Sequence, residues 1–412
     1  MAEPRILMLT TSYLRFRGDD SLQHSWGKVV ARSSPLTVIC PSDSPAKSVL
    51  REKIDNVNVV RFQYFWPKSL QRLAYGGGGI PANLRRSPLA LLQVPFFGIS
   101  FLISALREAK NADVIDAQFI ESGLIGLALK KIFRRPLVTT VHRIVSGNAL
   151  ERFLNRLVLS NSDVVAFNST YTFGEAKKFL RASGRDWRII NPSLDTNLFA
   201  PTKGNGIIRK RFGIAADSRI ILSIGKLVEK KGIGTLIRAI PLLKGKKSVL
   251  VIGGWGVEEQ KLKGIAQELG LLGKRVFFAG KIENRDFPDY ANGCNVFVVP
   301  SITDSRGEVE TFGLAAAEAS ACGRPVIASR LGGLTDVVED GKTGFLFGAG
   351  NEKELAEKIS IVLENPKKEA EFGRNARQRA LRNFSVEIEA KKYLEAYDSA
   401  LKAKPQGIKA KR

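Results

Sequence analysis

Short β-branched segments alternate with helical stretches along almost the whole chain, and this alternation restricts the possible folds more than any other feature. The first series of predicted strands is "RILMLTT", "LTVIC", "VNVVRF", "DVIDAQ", "PLVTTVH" and "DVVAFNS". The second series is shorter and more uniformly apolar: "RIILSIG", "SVLVIGG", "VFFAG", "VFVVPS", "PVIAS" and "GFLF". Strands that alternate with helices form parallel sheets covered on both faces. We therefore predict an α/β protein with two Rossmann-like parallel-sheet domains that face each other across a cleft.

The polar segment "INPSLDTNLFAP" interrupts the alternation and predicts the connection between the two domains. We place the first domain at residues 1–194 and the second at residues 195–384. The chain from about residue 352 to 402 is rich in Glu, Lys, Ala and Leu and is predicted to be helical, and residues 403–412 form a basic tail. Ligands of such sheets bind beyond the carboxyl ends of the strands, so the functional residues are expected there.

The chain is strongly basic, with 64 Lys and Arg residues against 40 Asp and Glu residues and a net charge of +24. Residues 201–250 alone contain 12 basic and 2 acidic side chains. This charge favours a polyanion, a phosphorylated ligand or an anionic membrane surface, without choosing among them. Three scattered cysteines and the absence of a signal-peptide pattern predict a reducing, cytoplasmic location.

The segment at residues 88–106, "PLALLQVPFFGISFLISAL", carries no charge and is predicted to be a buried helix, with a membrane-contacting helix as the alternative. Just before it, "AYGGGGIPANL" contains four consecutive glycines and predicts a mobile loop. That loop is either a plain surface loop or a flap over an acceptor.

The segment "LSIGKLVEKKGIGTL" leaves a predicted strand and enters a helix near Gly232. Lys226 and Lys231 therefore bracket a turn at the carboxyl end of a strand, beside a helix N-terminus. Fixed positive charge next to unpaired backbone N–H groups favours a diphosphate, and a solvated basic loop is the alternative.

Glycines also follow the next strand, in "VIGGWGVEEQKL". Gly253, Gly254 and Gly256 approach a dinucleotide fingerprint, but Glu259 stands where the third glycine belongs and no acid ends the next strand. This argues against a nicotinamide-dependent dehydrogenase. The glycines predict close backbone approach to a ligand, or a tight turn.

Two carboxylates flank the start of a helix of small residues in "ETFGLAAAEASACG". Glu310 lies in the loop before the helix, where the N–H groups of Phe312, Gly313 and Leu314 are the first unpaired donors. Glu318 follows two turns later and is positioned for a second diol, such as a ribose. The sequence thus predicts a ligand that carries hydroxyl pairs and phosphate.

Together these segments identify a family resemblance. The chain resembles the family 4 retaining glycosyltransferases of the GT-B fold, often called group 1 glycosyl transferases. The matching segments cover essentially the whole chain; they are "ETFGLAAAEASACGRPVIASRLGG" with its E-x7-E spacing, "GKLVEKKG", "VIGGWG", "VFFAGKI", "VFVVPS", "DGKTGFLF", "INPSLDTNLF", "TTSYLRFRGDD" and "TTVHRI".

The resemblance implies catalytic and donor-binding roles. Lys226, where the family usually has Arg, and Lys231 are expected to bind the donor diphosphate and stabilise the leaving phosphate. Glu310 and the amides of residues 312–314 are expected to hold the donor sugar. Glu318 is expected to bind the ribose hydroxyls.

Further roles are implied around this centre. Ile282, together with Gly253 and Gly254, is expected to bind the nucleotide. His142 matches the family histidine near the donor sugar, with a core histidine at a strand end as the alternative. Gly18 lies in the loop that approaches the diphosphate and the acceptor.

Two segments depart from the family pattern. Arg143 replaces the glycine that usually follows the histidine, and "DAQ" at residues 116–118 replaces an "HAH"-like strand end. The family also implies that a helix at about residues 385–402 packs back on the first domain.

The resemblance implies a retaining hexosyltransferase that moves a mannose- or glucose-type sugar from a nucleoside-diphosphate sugar to a glycan or lipid-linked acceptor, in polysaccharide or glycolipid biosynthesis. We expect no cofactor and no metal, because no D-x-D pair is present. Basic residues in "PKSLQRL" and "NLRRSP" favour peripheral contact with an anionic membrane, at its cytoplasmic face. No nucleic acid is expected, although a non-enzymatic polyanion binder is the alternative.

Overall fold

The computed structural model of the protein describes residues 3–14, 22–43, 49–75, 80–144, 148–178, 180, 186–204, 206–243 and 247–403. Gly18, the glycine run at 76–79 and residues 404–412 of the basic tail lie outside the described residues. The chain divides into two compact units. The first extends to Asn191 and resumes at Val386, and the second spans Pro192–Ser385.

The first unit is built on an eight-stranded sheet. Its strands are β1 (Ile6–Leu9), β2 (Leu36–Pro41), β3 (Arg51–Ile54), β4 (Val57–Phe62), β5 (Val114–Ala117), β6 (Leu137–Val141), β7 (Val164–Phe167) and β8 (Asp186–Ile189). They lie in the order β3-β4-β2-β1-β5-β6-β7-β8, and every neighbouring pair is parallel except β3 with β4. All six strands predicted for this half are present, and the edge strands β3 and β8 are additional.

Helices cover this sheet: α1 (Leu22–Val30), α2 (Ile80–Arg86), α3 (Pro88–Leu92), α4 (Val94–Ala109), α5 (Ile120–Phe133), α6 (Ala149–Asn161) and α7 (Thr170–Lys177). The prediction of a buried helix at residues 88–106 is wrong in part, because the segment forms two helices that meet at Gln93. Phe97 and Phe101 are buried on one side of α4, whereas Phe96 on the opposite side is exposed. Within the described ranges, no helix is long and apolar enough to span a bilayer.

The second unit contains a six-stranded, entirely parallel sheet. Its strands are β9 (Arg219–Ile224), β10 (Ser248–Gly253), β11 (Val276–Gly280), β12 (Val296–Val299), β13 (Val326–Ser329) and β14 (Gly344–Phe347). They lie in the order β11-β10-β9-β12-β13-β14. The strand order reverses between β9 and β12, and ligands of doubly wound sheets bind at such a switch point.

The helices of this unit are α8 (Ile207–Phe212), α9 (Ile233–Ala239), α10 (Glu259–Glu268), α11 (Phe287–Asn292), α12 (Leu314–Ala321), α13 (Leu334–Val337), α14 (Glu352–Leu363) and α15 (Pro366–Asn383). Short 3₁₀ turns at Lys68–Leu70, Glu229–Lys231, Ile240–Leu242 and Asn284–Asp286 complete the two units. Cores on both faces of the β9–β14 sheet hold it in place, and its strands are accordingly mostly apolar.

The last helix, α16 (Val386–Lys402), returns to the first unit. Tyr393 stacks on Trp26 of α1 at a ring distance of 4.0 Å. The hydroxyl of Tyr397 donates to Asp116 Oδ2 at 3.0 Å, and both groups are buried. The helix thus forms part of the core under β5 and β6 and is not an appendage.

Candidate functional site

The loop after β9 lies against the end of β12, at the switch point of the second sheet. Gly232 has a φ of 61°. A Cβ at that position would lie 1.9 Å from the carbonyl oxygen of Pro300, so only glycine fits this approach. The amide of Ile302 also donates to the carbonyl of Lys230 at 2.9 Å. These contacts fix the lysine-bearing turn beside the loop that follows β12.

Lys231 and Glu310 form an ion pair across the switch point. Lys231 Nζ donates to Glu310 Oε2, and their side chains are 23% and 15% exposed. The backbone carbonyl of Glu310 accepts from Gly333 N at 3.0 Å, which fixes the loop from the β13 side. Lys226 is exposed and has no ion-pair partner among the residues the structure describes. The two lysines therefore differ: one is clamped and the other is free to reorient.

The N-terminus of α12 presents unbonded amides next to this pair. Gly313 precedes the helix with a φ of 100°, and the buried Phe312 ring packs edge-on against Phe384 at 5.4 Å. In the described part of the chain, the N–H groups of Phe312, Gly313 and Leu314 donate no hydrogen bond. Such amides are a ready-made binding site for an anion or a sugar oxygen.

Glu318, inside α12, is the second acid of the pair. Burial raises the pKa of its carboxyl to about 7, although the charge of Lys231 opposes the shift. Its carboxylate accepts no hydrogen bond and forms no ion pair with any residue in the described ranges. Its helix neighbours Ala317 and Ala319 are buried and too small to shield it. A partly buried acid without a partner is costly, and such groups cluster at functional sites.

The glycines after β10 pack the strand ends together. Gly254 has a φ of 139°, and a Cβ there would lie 1.8 Å from the carbonyl oxygen of Gly225. A Cβ on Gly253 would lie 2.3 Å from Cδ1 of Ile282. These glycines therefore let the loops after β9, β10 and β11 pack closely. Their predicted nucleotide-binding role, and that of Ile282, stays a prediction.

In the first unit, His142 follows β6 and is held by a side chain that follows β5. Gln118 Nε2 donates to both oxygens of Asp116, at 2.9 and 3.1 Å. Its Oε1 must therefore accept, so the 3.0 Å contact with His142 is an Nε2–H donor bond. Burial lowers the pKa of His142 to about 4. The imidazole is thus neutral, and its Nδ1 keeps a lone pair that can accept from a hydroxyl.

Asp116 fixes the orientation of the Gln118 amide. It is fully buried, and burial raises its pKa to about 7, while hydrogen bonds from Gln118 and Tyr397 act in the opposite direction. The chain Tyr397–Asp116–Gln118–His142 therefore links α16 to the imidazole. The sequence identified "DAQ" only as a departure from the family pattern. The spacing of Asp116 and Gln118 along one strand end was the available signal.

A second set of supporting residues lies in the loop after β12. Ser305 donates to Glu229 through its backbone amide at 3.1 Å and through its hydroxyl at 2.7 Å. The buried Asp304 accepts from the amides of Arg306 and Glu308 at 3.0 and 2.8 Å. These bonds attach the loop before Glu310 to Glu229 and close a turn at Asp304. The sequence places Glu310 in a loop, but nothing in it indicates the attachment of that loop to Glu229.

Family comparisons agree with this geometry. Residues 205–379 match the family described as Glycosyl transferases group 1, and residues 28–198 match Glycosyltransferase Family 4. The chain is 32% identical, over 270 residues, to the GDP-mannose-dependent α-(1-6)-phosphatidylinositol monomannoside mannosyltransferase of Mycolicibacterium smegmatis, covering 63% of this chain and 69% of that protein. It is 30% identical, over 301 residues, to D-inositol 3-phosphate glycosyltransferase 2 of Catenulispora acidiphila, covering 68% and 69%.

Solved structures give the same result for the fold. Sucrose-phosphate synthase of Thermosynechococcus elongatus superposes with a TM-score of 0.77 at 24% identity, over 97% of this chain and 100% of that one. Anabaena HepE in complex with UDP superposes with a TM-score of 0.74 at 23% identity, over 96% and 100%. The two parallel-sheet units therefore have the GT-B fold, as the sequence predicts.

Proposed function

The chain belongs to the group 1, family 4 glycosyltransferases, and on this premise we propose that it is a retaining hexosyltransferase. It moves a hexose from a nucleoside-diphosphate sugar to a hydroxyl of a glycan or lipid-linked acceptor. One observation carries the proposal: the Lys231–Glu310 pair, the unbonded amides of residues 312–314 and the partnerless Glu318 lie together at the switch point of one sheet.

Each part of a nucleotide-sugar has a matching group at this switch point. The diphosphate takes Lys226, Lys231 and the amides at the start of α12, which combine mobile charge, fixed charge and aligned N–H donors. The ionised carboxylate of Glu318 accepts from the two ribose hydroxyls. Glu310, relieved of Lys231 by the incoming phosphate, accepts from hydroxyls of the sugar.

The transfer proceeds on one face of the sugar. The acceptor oxygen forms a bond to the anomeric carbon as the bond from that carbon to the diphosphate oxygen breaks. The leaving phosphate takes the electron pair and then the proton of the acceptor hydroxyl. Lys226, Lys231 and the α12 amides stabilise the charge that develops on that phosphate, and electrostatic terms of this kind commonly dominate catalysis. In this scheme the lysines act in place of a divalent metal ion.

His142 is proposed to bind a sugar hydroxyl. Its Nδ1 lone pair accepts a hydrogen bond from the hydroxyl, because Gln118 Oε1 accepts the Nε2–H on the other side of the ring. A neutral imidazole suits this role, since a protonated ring would offer only donors. We propose that the enzyme works at the cytoplasmic face of a membrane, in glycolipid or cell-surface polysaccharide biosynthesis.

The donor is tested by thermal stabilisation. The panel contains UDP, GDP, ADP, NAD and a short oligonucleotide. GDP and UDP are included because one similar protein is GDP-mannose-dependent and the HepE structure is a complex with UDP. One nucleoside diphosphate is expected to raise the melting temperature of the wild type but not of Glu318→Ala. Glu371→Ala, an exposed glutamate of α15, is the matched control and keeps the shift. Stabilisation by the oligonucleotide alone would mean that the basic surface, not the switch point, is the functional feature.

Retention is tested separately with the sugar donor of the base so identified. NMR during the first turnovers reports the one-bond C1–H1 coupling constant of the newly formed anomeric centre. A product with the donor's α configuration is expected. A β product would require a protein base opposite the leaving group and would contradict the proposed front-face reaction.

A further inference from the structure

One side of α3 and α4 exposes large apolar residues that nothing in the described chain covers. Trp66 is 86% exposed, Leu91 64%, Leu92 59%, Ile99 57%, Phe96 48% and Ile103 45%. Phe96, Ile99 and Ile103 follow each other at helical spacing, opposite the buried Phe97 and Phe101. We infer that this apolar face docks the protein on the surface of an anionic lipid bilayer.

Hydrogen bonds of a buried side chain hold in place the two helices that carry this apolar face. Gln93, at the junction of α3 and α4, is completely buried. Its Oε1 accepts from the amide of Arg72 at 2.9 Å, and its Nε2 donates to the carbonyl of Leu70 at 2.7 Å. The Phe65 and Phe96 rings lie 5.7 Å apart, edge to face. The segment with Trp66 is therefore fixed beside the two helices, and Trp66 lines one cavity together with Phe65 and Phe96.

The charges around this face select an anionic lipid. Residues 62–106 contain no Asp or Glu and four Lys or Arg residues. Of these, Lys68 lies in the fixed segment, and the exposed Arg85 lies at the end of α2. An apolar face rimmed by cations binds at the headgroup boundary of anionic membranes, where each nearby cation adds attraction.

The position of the face suits an acceptor carried by lipid. Phe65 and Trp66 follow the carboxyl end of β4, and α4 then runs back to the start of β5. The face therefore begins at the edge of the sheet where Gln118 and His142 follow their strands. A bilayer against this edge would present a lipid-linked acceptor to the same edge. This last step rests on the proposed function, whereas the docking itself does not.

A lipid surface fits the face better than other occupants. The aliphatic side chains offer no hydrogen bonds to a sugar or a polar peptide, and isolated apolar patches of this kind mark interaction sites. A second copy of the chain would bring the same cations opposite each other, because a twofold contact pairs a patch with itself.

Vesicle flotation of the full chain tests the inference, with phosphatidylcholine vesicles and vesicles of phosphatidylcholine and phosphatidylglycerol at 7:3. Wild type is expected to float only with the anionic vesicles. The variant Phe96→Ser/Ile99→Ser is expected to bind at least about tenfold more weakly. Lys68→Glu/Arg85→Glu is expected to lose about fivefold or more per position, and more at low salt. The matched control is Leu150→Ser/Phe153→Ser, which removes two residues of α6 that are at least as exposed as Phe96 and Ile99.

Each alternative result overturns the inference. Equal flotation of Phe96→Ser/Ile99→Ser and wild type would assign membrane binding to the general positive charge. Binding to neutral vesicles as strong as to anionic ones would remove the role of the cations. A dimer that the apolar variant abolishes, with no flotation, would make the face a contact between copies. Nucleoside-diphosphate stabilisation is measured on every variant, so a failure of docking is distinct from a failure of the proposed activity.

Discussion

Replacing Glu318 by glutamine removes a carboxyl group whose ionised form is disfavoured in the folded state. Burial raises its pKa from 4.5 to about 7. A shift of one pKa unit corresponds to about 1.36 kcal/mol, so the folded state disfavours the ionised form by up to about 3 kcal/mol, and by about 2 kcal/mol after allowance for its partial exposure. The structure offers no compensating hydrogen bond from any described residue.

The sign of the pH dependence follows from the raised pKa. Below pH 4.5 the carboxyl is protonated in both the folded and the unfolded chain, so the cost of burying its ionised form does not lower the free energy of unfolding. Between about pH 4.5 and 7 the unfolded chain loses this proton first, so the free energy of unfolding falls as the pH rises. Above pH 7 the loss is complete. Glu318→Gln has no such loss and is expected to be about 2 kcal/mol more stable than wild type at pH 8.

Chemical denaturation from pH 4.5 to 8 measures the difference between wild type and Glu318→Gln, with Glu371→Gln as the exposed control. Because burial also raises the pKa of Asp116 to about 7, only the difference between the variants is diagnostic. Nucleoside-diphosphate affinity should move in the opposite direction, weaker by about tenfold or more in Glu318→Gln at pH 8. Equal or lower stability of the glutamine variant at pH 8 would refute the claim that the Glu318 carboxylate lowers the stability of the fold and serves ligand binding instead.

Other substitutions test the remaining parts of the site. Lys231→Ala removes the cation that is paired with Glu310 and should lower kcat about 10²–10³-fold. Replacement of the more exposed Lys226 should lower kcat less. The control variant Lys367→Ala on α15 leaves the steady-state kinetics unchanged. Gly232→Ala places a Cβ 1.9 Å from the carbonyl oxygen of Pro300 at a φ of 61°. Its thermal midpoint should therefore fall, with a loss of about 2 kcal/mol or more in the free energy of unfolding. An unchanged midpoint would contradict the close approach. Gln118→Leu should mix the two tautomers of His142 in nitrogen-15 NMR spectra and lower kcat/KM about tenfold, whereas an unchanged spectrum would mean that Gln118 does not set the tautomer.

Sequence periodicity predicts the central strands well, because a strand buried on both faces must be apolar along its length. All twelve predicted strands are present in the two sheets. The edge strands β3 and β8 escaped prediction, since "REKI" and "DWRI" are charged and only partly buried, and edge strands tolerate such residues. Residues 88–106 carry no charge and predict a buried helix, but composition alone cannot tell a core face from an exposed one, and α3 and α4 each leave apolar residues exposed.

The site was predictable as a set of motifs but not as a set of contacts. Glycines and lysines at strand ends indicate where a phosphate binds, because local backbone geometry determines both features. The Lys231–Glu310 pair joins residues 79 positions apart, and the contact of Tyr397 with Asp116 joins residues 281 positions apart. Such contacts depend on how strands are ordered within a sheet, and the sequence of a single chain does not state that order.

The central claim is that the switch point of the second sheet binds a nucleoside diphosphate. A crystal structure of the wild type with the nucleoside diphosphate that stabilises it most tests this claim directly. We expect the ribose hydroxyls within hydrogen-bond distance of Glu318, and the diphosphate beside Lys231 and the amides of residues 312–314. A nucleotide bound elsewhere on the basic surface, with Glu318 still without a partner, would contradict the account.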